Sequence, residues 1–143
     1  MPAFEYTTHS EEETQSLGVL LAQHITPPAT VVLTGKLGAG KTVLVKGFVK
    51  GLGIGHPDEV TSPTFPLIHE YGTPVRIYHV DLYRLETEAE VATIGMDELF
   101  DRDALVMIEW GERFRNLMPA PRVEIEIVVT GETERQVRVR TIQ

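Results

Sequence analysis

The spacing of apolar residues changes along this chain, and each change marks an element. Leu17, Leu20, Leu21 and Ile25 recur at helical spacing and predict one apolar helix face. Ser10-Glu11-Glu12-Glu13 precedes them as a capping box, with the serine as cap and Glu13 reaching back, and Pro27-Pro28 closes the helix. Ahead of it, Phe4 to Thr7 predicts a short strand. Thr30-Val31-Val32-Leu33-Thr34 is β-branched and apolar without alternation, as expected of a strand buried on both faces. A glycine-rich turn from Gly35 to Gly40 follows, then a helix from Lys41 to Leu52 ended by Gly53.

The second half is richer in strands. The stretch 53–62 reads as loop, and Phe65–Tyr71, Gly72-Thr73-Pro74 and Val75–Asp81 read as strand, turn and strand. Residues 86–101 predict two short helices broken near Gly95, and Ala104–Trp110 another buried apolar strand. Pro119 and Pro121 punctuate a loop. The runs 123–129 and 135–142 then alternate with period two around Gly131-Glu132, a terminal hairpin.

With 143 residues and neither repeat nor linker, the chain fits a single domain spanning 1–143. The absence of cysteine excludes disulfides, thiolate metal sites and cysteine nucleophiles. No apolar run approaches the roughly 20 residues of a membrane span, and the opening MPAFEYTTHSEEE lacks the basic and apolar regions of a signal peptide. The expectation is a cytosolic protein. A net charge of -8 argues against nucleic acid as the main contact surface, because that binding rests on many Lys and Arg contacts to phosphate. The average conceals an asymmetry: all four lysines, Lys36, Lys41, Lys46 and Lys50, lie together, and no acid occurs between Glu13 and Asp58.

The motif inside that island explains it. Gly35-Lys36-Leu37-Gly38-Ala39-Gly40-Lys41-Thr42 satisfies G-x-x-x-x-G-K-[ST]. Its glycines let successive N–H groups turn inward on phosphate oxygens, and the following helix adds its positive N-terminus. Lys41 is placed to bind β- and γ-phosphates, and the Thr42 hydroxyl to ligate the magnesium ion between them. A buried strand before and an apolar-faced helix after supply the context that the motif requires. The fold class expected is therefore α/β: a P-loop NTPase-like domain with a central, mostly parallel sheet flanked by helices, added antiparallel strands and a C-terminal hairpin.

Such a site needs a carboxylate at a strand end to hold magnesium or orient the attacking group. Glu109 ends Leu105-Val106-Met107-Ile108, and Asp81 ends Ile77-Tyr78-His79-Val80, in strands that could lie side by side. The Asn-Lys-x-Asp element of many guanine sites is absent, and Asn116 is the chain's only asparagine, which favours ATP. His79-x-Asp81 has a spacing that a metal could use, but with no further cluster a hydrogen-bonded strand histidine is favoured. Arg113 and Arg115 could contact phosphate, but beside Glu109 and Glu112 they read as surface ion pairs, and Arg135, Arg138 and Arg140 read as a solvated strand face.

Four stretches, GKLGAGKT (35–42), TSPTF (61–65), HVDLYRL (79–85) and IEW (108–110), occur in an order that resembles the bacterial TsaE (YjeE) family of tRNA threonylcarbamoyladenosine biosynthesis ATPases. The resemblance spans nearly the whole chain. It implies an ATPase, with ATP and Mg2+ as cofactors, needed to add threonylcarbamoyl to adenosine 37 of tRNAs that read ANN codons. The partners implied are the transferase TsaD and its companion TsaB, with tRNA reached only through them. Carried over, Thr42 and Glu109 are magnesium ligands, Lys41 binds phosphate and Asp81 is a catalytic acid that positions water or the metal's shell. Ser62 and Thr64 belong to a switch-like loop near the γ-phosphate, with Thr64 counted as catalytic. Trp110 supports Glu109 beside the nucleotide, and Glu11 and Arg135 are assigned to the adenine pocket. Two positions depart from the family pattern: Lys36 replaces an acid, and Val43 a second threonine. The rival functions for the same cradle are a small-molecule kinase and a nucleotide-sensing adaptor that does not hydrolyse.

Overall fold

The unalternating stretch around Val31 forms β2 (Ala29–Thr34), and both of its faces are covered. Val31 and Leu33 join an apolar cluster with Leu17, Leu21, Leu44, Val45 and Phe48. Val32 joins the opposite cluster, with Val80, Leu82, Val106, Ile108 and Phe114. Full burial of each such side chain is worth about 1.5–3 kcal/mol, and this strand collects it on two sides. That is why no polar residue alternates along it.

The structure, a computed structural model, describes residues 3–61 and 67–143. The other strands are β1 (Phe4–Thr8), β3 (Ile68–Tyr71), β4 (Ile77–Asp81), β5 (Leu105–Glu109), β6 (Arg122–Val129) and β7 (Arg135–Ile142). Together with β2 they make a seven-stranded sheet in the order β1-β7-β6-β2-β5-β4-β3. The four inner strands β6, β2, β5 and β4 are parallel. β3 adds antiparallel to β4, β7 to β6 and β1 to β7. This is the α/β architecture expected, with a mostly parallel centre and the terminal hairpin at 122–142. Ser62, Pro63, Thr64 and Phe65 lie outside the described residues, so the strand expected from Phe65 is described only from Ile68.

Helices α1 (Glu11–Ala22) and α2 (Lys41–Gly51) cover one face; α3 (Glu88–Thr93) and the 3-10 turn Met96–Leu99 lie on the other, broken at Gly95 as expected. Ser10 Oγ accepts the Glu13 N–H at 3.0 Å, and Glu13 in turn accepts the His9 N–H at 2.7 Å. The buried stripe of α1 is Thr14, Leu17, Gly18, Leu21 and Ala22, so Leu20, expected on the core face, stands 41% exposed at its flank. The stripe is set by a close crossing of α2: a Cβ on Gly47 would sit 2.1 Å from the Gln15 carbonyl oxygen and 2.7 Å from Gly18 Cα. Glycine in a helix interior costs about 0.5–1 kcal/mol. Here it lets two backbones touch and brings the N-terminus of α2 against α1.

Candidate nucleotide site

The parallel strands end on one rim of the sheet, where open α/β sheets place their ligands. β2 delivers the chain into the loop 35–40, which returns it as α2. Ala39 N–H donates to the Lys36 carbonyl at 3.0 Å, closing the turn. Gly38 and Gly40 hold φ of 79° and 117°, left-handed values that L side chains resist. Gly40 is the N-cap of α2, and no side chain caps that helix. The N–H groups of its first turn, which have no carbonyl one turn back, remain as donors beside the helix's positive end.

Lys41 opens α2 and is 4% exposed. Its ammonium donates to the Gly35 carbonyl at 2.8 Å, stands 3.9 Å from Glu109 Oε1 and lies 3.9 Å from the centroid of the Trp110 ring. Burial lowers its pKa below the usual lysine value, against the opposing pull of Glu109, Glu112 and Asp81. A single buried cation thus sits where carbonyl, carboxylate and ring face converge.

Asp81 and Glu109 end neighbouring parallel strands and stand directly opposite each other in register. Both are buried. Asp81 Oδ1 accepts the Tyr83 N–H at 2.8 Å, which turns the chain away from the strand. Glu109 Oε2 meets His79 Nε2 at 2.5 Å, so His79 is a hydrogen-bonded strand histidine, as expected. Trp110 follows with φ of 67° and ψ of 18°, a left-handed turn that lays its ring over Lys41 and beside Tyr83, with ring centroids 5.1 Å apart.

These groups enclose a cleft of about 630 Å³, within the size range of small-molecule sites. It is lined by Leu37, Gly38, Ala39, Gly40, Lys41, Thr42 and Val43, and by Asp81, Tyr83, Glu109 and Trp110. Ser10, Glu11, Thr14, Glu132, Thr133 and Arg135 complete the wall from α1 and the hairpin. Glu11 and Arg135 therefore share a wall, at the place the resemblance assigns to adenine. Gly35 enters through its carbonyl on Lys41, whereas Lys36 has an exposed side chain and is not among the lining residues. Ser62 and Thr64 lie outside the described residues. Tyr83, Thr14 and the hairpin-tip residues Glu132 and Thr133 were not singled out by sequence reasoning. Tyr83 stood inside the HVDLYRL run; the others depend on how hairpin and helix pack.

Two arginines depart from expectation. Arg135, read from its spacing as part of a solvated face, donates from Nε to the Ala39 carbonyl at 3.0 Å and from Nη1 to the Gly131 and Glu134 carbonyls at 3.1 and 2.9 Å. It ties the hairpin tip to the glycine-rich loop; a strand-end arginine beside a loop carbonyl finds a better partner there than water. Arg113 donates to the Tyr83 carbonyl at 2.9 Å and to the Leu85 carbonyl, bracing the chain after Asp81 instead of forming a surface ion pair. Arg115, Arg138 and Arg140 do form ion pairs, with Glu124, with Glu5 and Glu126, and with Glu124 respectively.

The donor set suits one metal better than others. Among the described residues no group of three or more His, Cys, Asp or Glu forms a cation cage. The hydroxyl of Thr42 and the carboxylates of Glu109 and Asp81 line the same cleft. Few oxygen ligands beside a glycine-rich loop are a set that could hold Mg2+, which keeps several waters and takes phosphates as ligands. Among the described residues no helix is long and apolar enough to cross a membrane.

Known proteins are similar to this chain along most of its length. The family described as "Threonylcarbamoyl adenosine biosynthesis protein TsaE" matches residues 8–137. The tRNA threonylcarbamoyladenosine biosynthesis protein TsaE of Bacillus subtilis is 38% identical over 138 residues, covering 96% of this chain and 85% of that protein. Its counterpart in Rickettsia felis is 39% identical over 128 residues, 89% of this chain and 74% of the other. The crystal structure of YdiB from Bacillus subtilis superposes with a TM-score of 0.80 at 31% identity, covering 99% of this chain and 87% of that one. With a family match over residues 8–137 and a fold shared across nearly its whole length, the chain belongs to the TsaE family of threonylcarbamoyl adenosine biosynthesis proteins.

Proposed function

We propose that this protein is a magnesium-dependent ATPase that supports threonylcarbamoylation of adenosine 37 in tRNA by binding and resetting the TsaD–TsaB pair. The observation that carries the reading is the convergence of Lys41, Asp81 and Glu109, from α2, β4 and β5, on one cleft behind the glycine-rich loop. Membership of the TsaE family supplies the pathway.

In this reading the first-turn amides of α2 and the Lys41 ammonium hold the β- and γ-phosphates. Thr42 and Glu109 would hold Mg2+, which when bound neutralises charge on the phosphate oxygens. Asp81 orients a water in line with the γ-phosphorus and takes up its proton as the oxygen attacks; the bond to the β,γ-bridging oxygen breaks and ADP leaves with inorganic phosphate. The Lys41 ammonium and the loop amides stabilise charge that grows toward the transition state. Trp110 and Tyr83 wall the site from water on one side, and Arg135 ties the hairpin to the loop at the cleft wall. Turnover by the isolated protein is slow, because partner contact completes the site and hydrolysis then releases the pair for another cycle.

Repeated modification is the test. With purified TsaD–TsaB and tRNA substrate in excess, this protein with ATP is expected to sustain many modification cycles. An analogue that cannot be hydrolysed should permit no more than about one cycle per complex. Equal multiple turnover with ATP and analogue would favour the nucleotide-sensing adaptor.

A further inference from the structure

The chemistry proposed above does not use His79, although its ring meets a carboxylate assigned to magnesium. β4 and β5 run in parallel register, with His79 opposite Met107 and Asp81 opposite Glu109. The imidazole is 0% exposed, and its Nε2 stands 2.5 Å from Glu109 Oε2. A carboxylate offers only lone pairs, so Nε2 carries the proton and donates. Nδ1 is buried as well and has no hydrogen-bond partner among the described residues. A buried acceptor left unpaired is unfavourable. Packing alone would be better served at this position by leucine, and what the histidine contributes is its bond to Glu109.

That bond divides the two oxygens of Glu109. Oε2 is tied to His79, while Oε1 stands 3.9 Å from the Lys41 ammonium in the wall of the cleft. Lys41 is an inconstant partner, because in the proposed reaction phosphate oxygens claim its ammonium. His79 is the standing one. A glutamate without it has three side-chain torsions to explore and two oxygens to offer. Mg2+ demands near-ideal octahedral geometry and tolerates a wandering or chelating ligand poorly.

We propose that His79 is a positioning residue that holds Glu109 by Oε2, so that Oε1 alone faces the magnesium of the bound nucleotide. The proposal rests on the reading of Glu109 as a magnesium-facing carboxylate. Partners that orient metal ligands typically change metal affinity by about 10–100-fold when removed.

The test is calorimetric binding of a non-hydrolysable ATP analogue to the full chain, in EDTA and then across a series of Mg2+ concentrations. His79→Leu, similar in bulk and without a donor, is expected to raise the Mg2+ needed for half-maximal tightening by about 10–100-fold. Its metal-free binding should stay within about twofold of wild type, which a general loosening of the sheet would not leave intact. His79→Gln places an amide nitrogen near the position of Nε2 and should restore the Mg2+ requirement to within about threefold. If leucine prevents folding, His79→Asn, whose amide is too short to reach Oε2, is expected to show the same rise. A folded His79→Leu or His79→Asn with an unchanged Mg2+ requirement, or a glutamine variant as impaired as leucine, would overturn the proposal. Wild-type binding that ignores Mg2+ would overturn the magnesium reading itself, and this proposal with it.

Discussion

Asp81→Ala is expected to lower ATP turnover, measured with the partner pair present, by about 10²–10⁴-fold, the range for a positioned proton-transfer group. Affinity for Mg·ATP should stay within about threefold of wild type. The separation follows from geometry: Asp81 stands beside Glu109 at the strand ends, whereas in the proposed reading the phosphates are held by Lys41 and the amides at the start of α2. Alanine also removes the acceptor for the Tyr83 N–H, so Asp81→Asn is the cleaner variant, since its amide oxygen preserves that turn while losing the charge. Both should be inactive if the carboxylate does chemistry; recovery in the asparagine variant would reduce Asp81 to a turn former. Glu109→Ala should behave differently, weakening the Mg2+ dependence of nucleotide binding as well as turnover. Unchanged hydrolysis in both Asp81→Ala and Glu109→Ala would remove the catalytic assignment.

Lys41→Ala is expected to weaken Mg·ATP binding by about ten- to a hundredfold, the loss of a charge-assisted contact worth about 1.5–3 kcal/mol. Its ammonium is the only lysine nitrogen that lines the cleft among the described residues, and Arg135, the other cation there, is committed to three loop carbonyls. Unfolding is not the expected route to that loss. Burial is the largest influence on Lys41 and lowers its pKa, so the charged ammonium is a cost to folding at neutral pH. Glu109 is bonded to His79 through Oε2, while Lys41 stands near Oε1, so that bond is expected to persist when Lys41 is removed. Calorimetric titration with Mg·ATP, alongside thermal melting of the same samples, separates the two effects. A folded Lys41→Ala that binds Mg·ATP as tightly as wild type would contradict the cradle.

Much of this was legible in the chain because the physics is local. An unalternating β-branched run such as 30–34 has no stable place except a strand covered on both faces, and GKLGAGKT constrains its backbone by composition alone. The strand-end acids Asp81 and Glu109 were visible as the terminal residues of apolar runs, and the structure adds that those runs are neighbours in a parallel register that sets the two acids opposite each other. What was not legible depends on contacts across the fold. Leu20 fits the helical period yet lies outside the stripe that the Gly18–Gly47 crossing selects. Arg135 does not share the face of Arg138 and Arg140: it stands three positions before Arg138, on the parity of the buried Val137 and Val139, and only the packing of that face beside the glycine-rich loop gives it the Ala39 carbonyl. His79 was recognisable as a strand histidine, whereas its partner stands on another strand, thirty positions along the chain.

ATP hydrolysis by the purified protein, measured alone and with the purified TsaD–TsaB pair, tests the central claim most directly. A slow basal rate that rises strongly when the pair is added is the predicted result, with the rise absent in Asp81→Asn. No stimulation, despite tight Mg·ATP binding and a formed complex, would contradict a partner-activated ATPase and make the nucleotide a binding signal only.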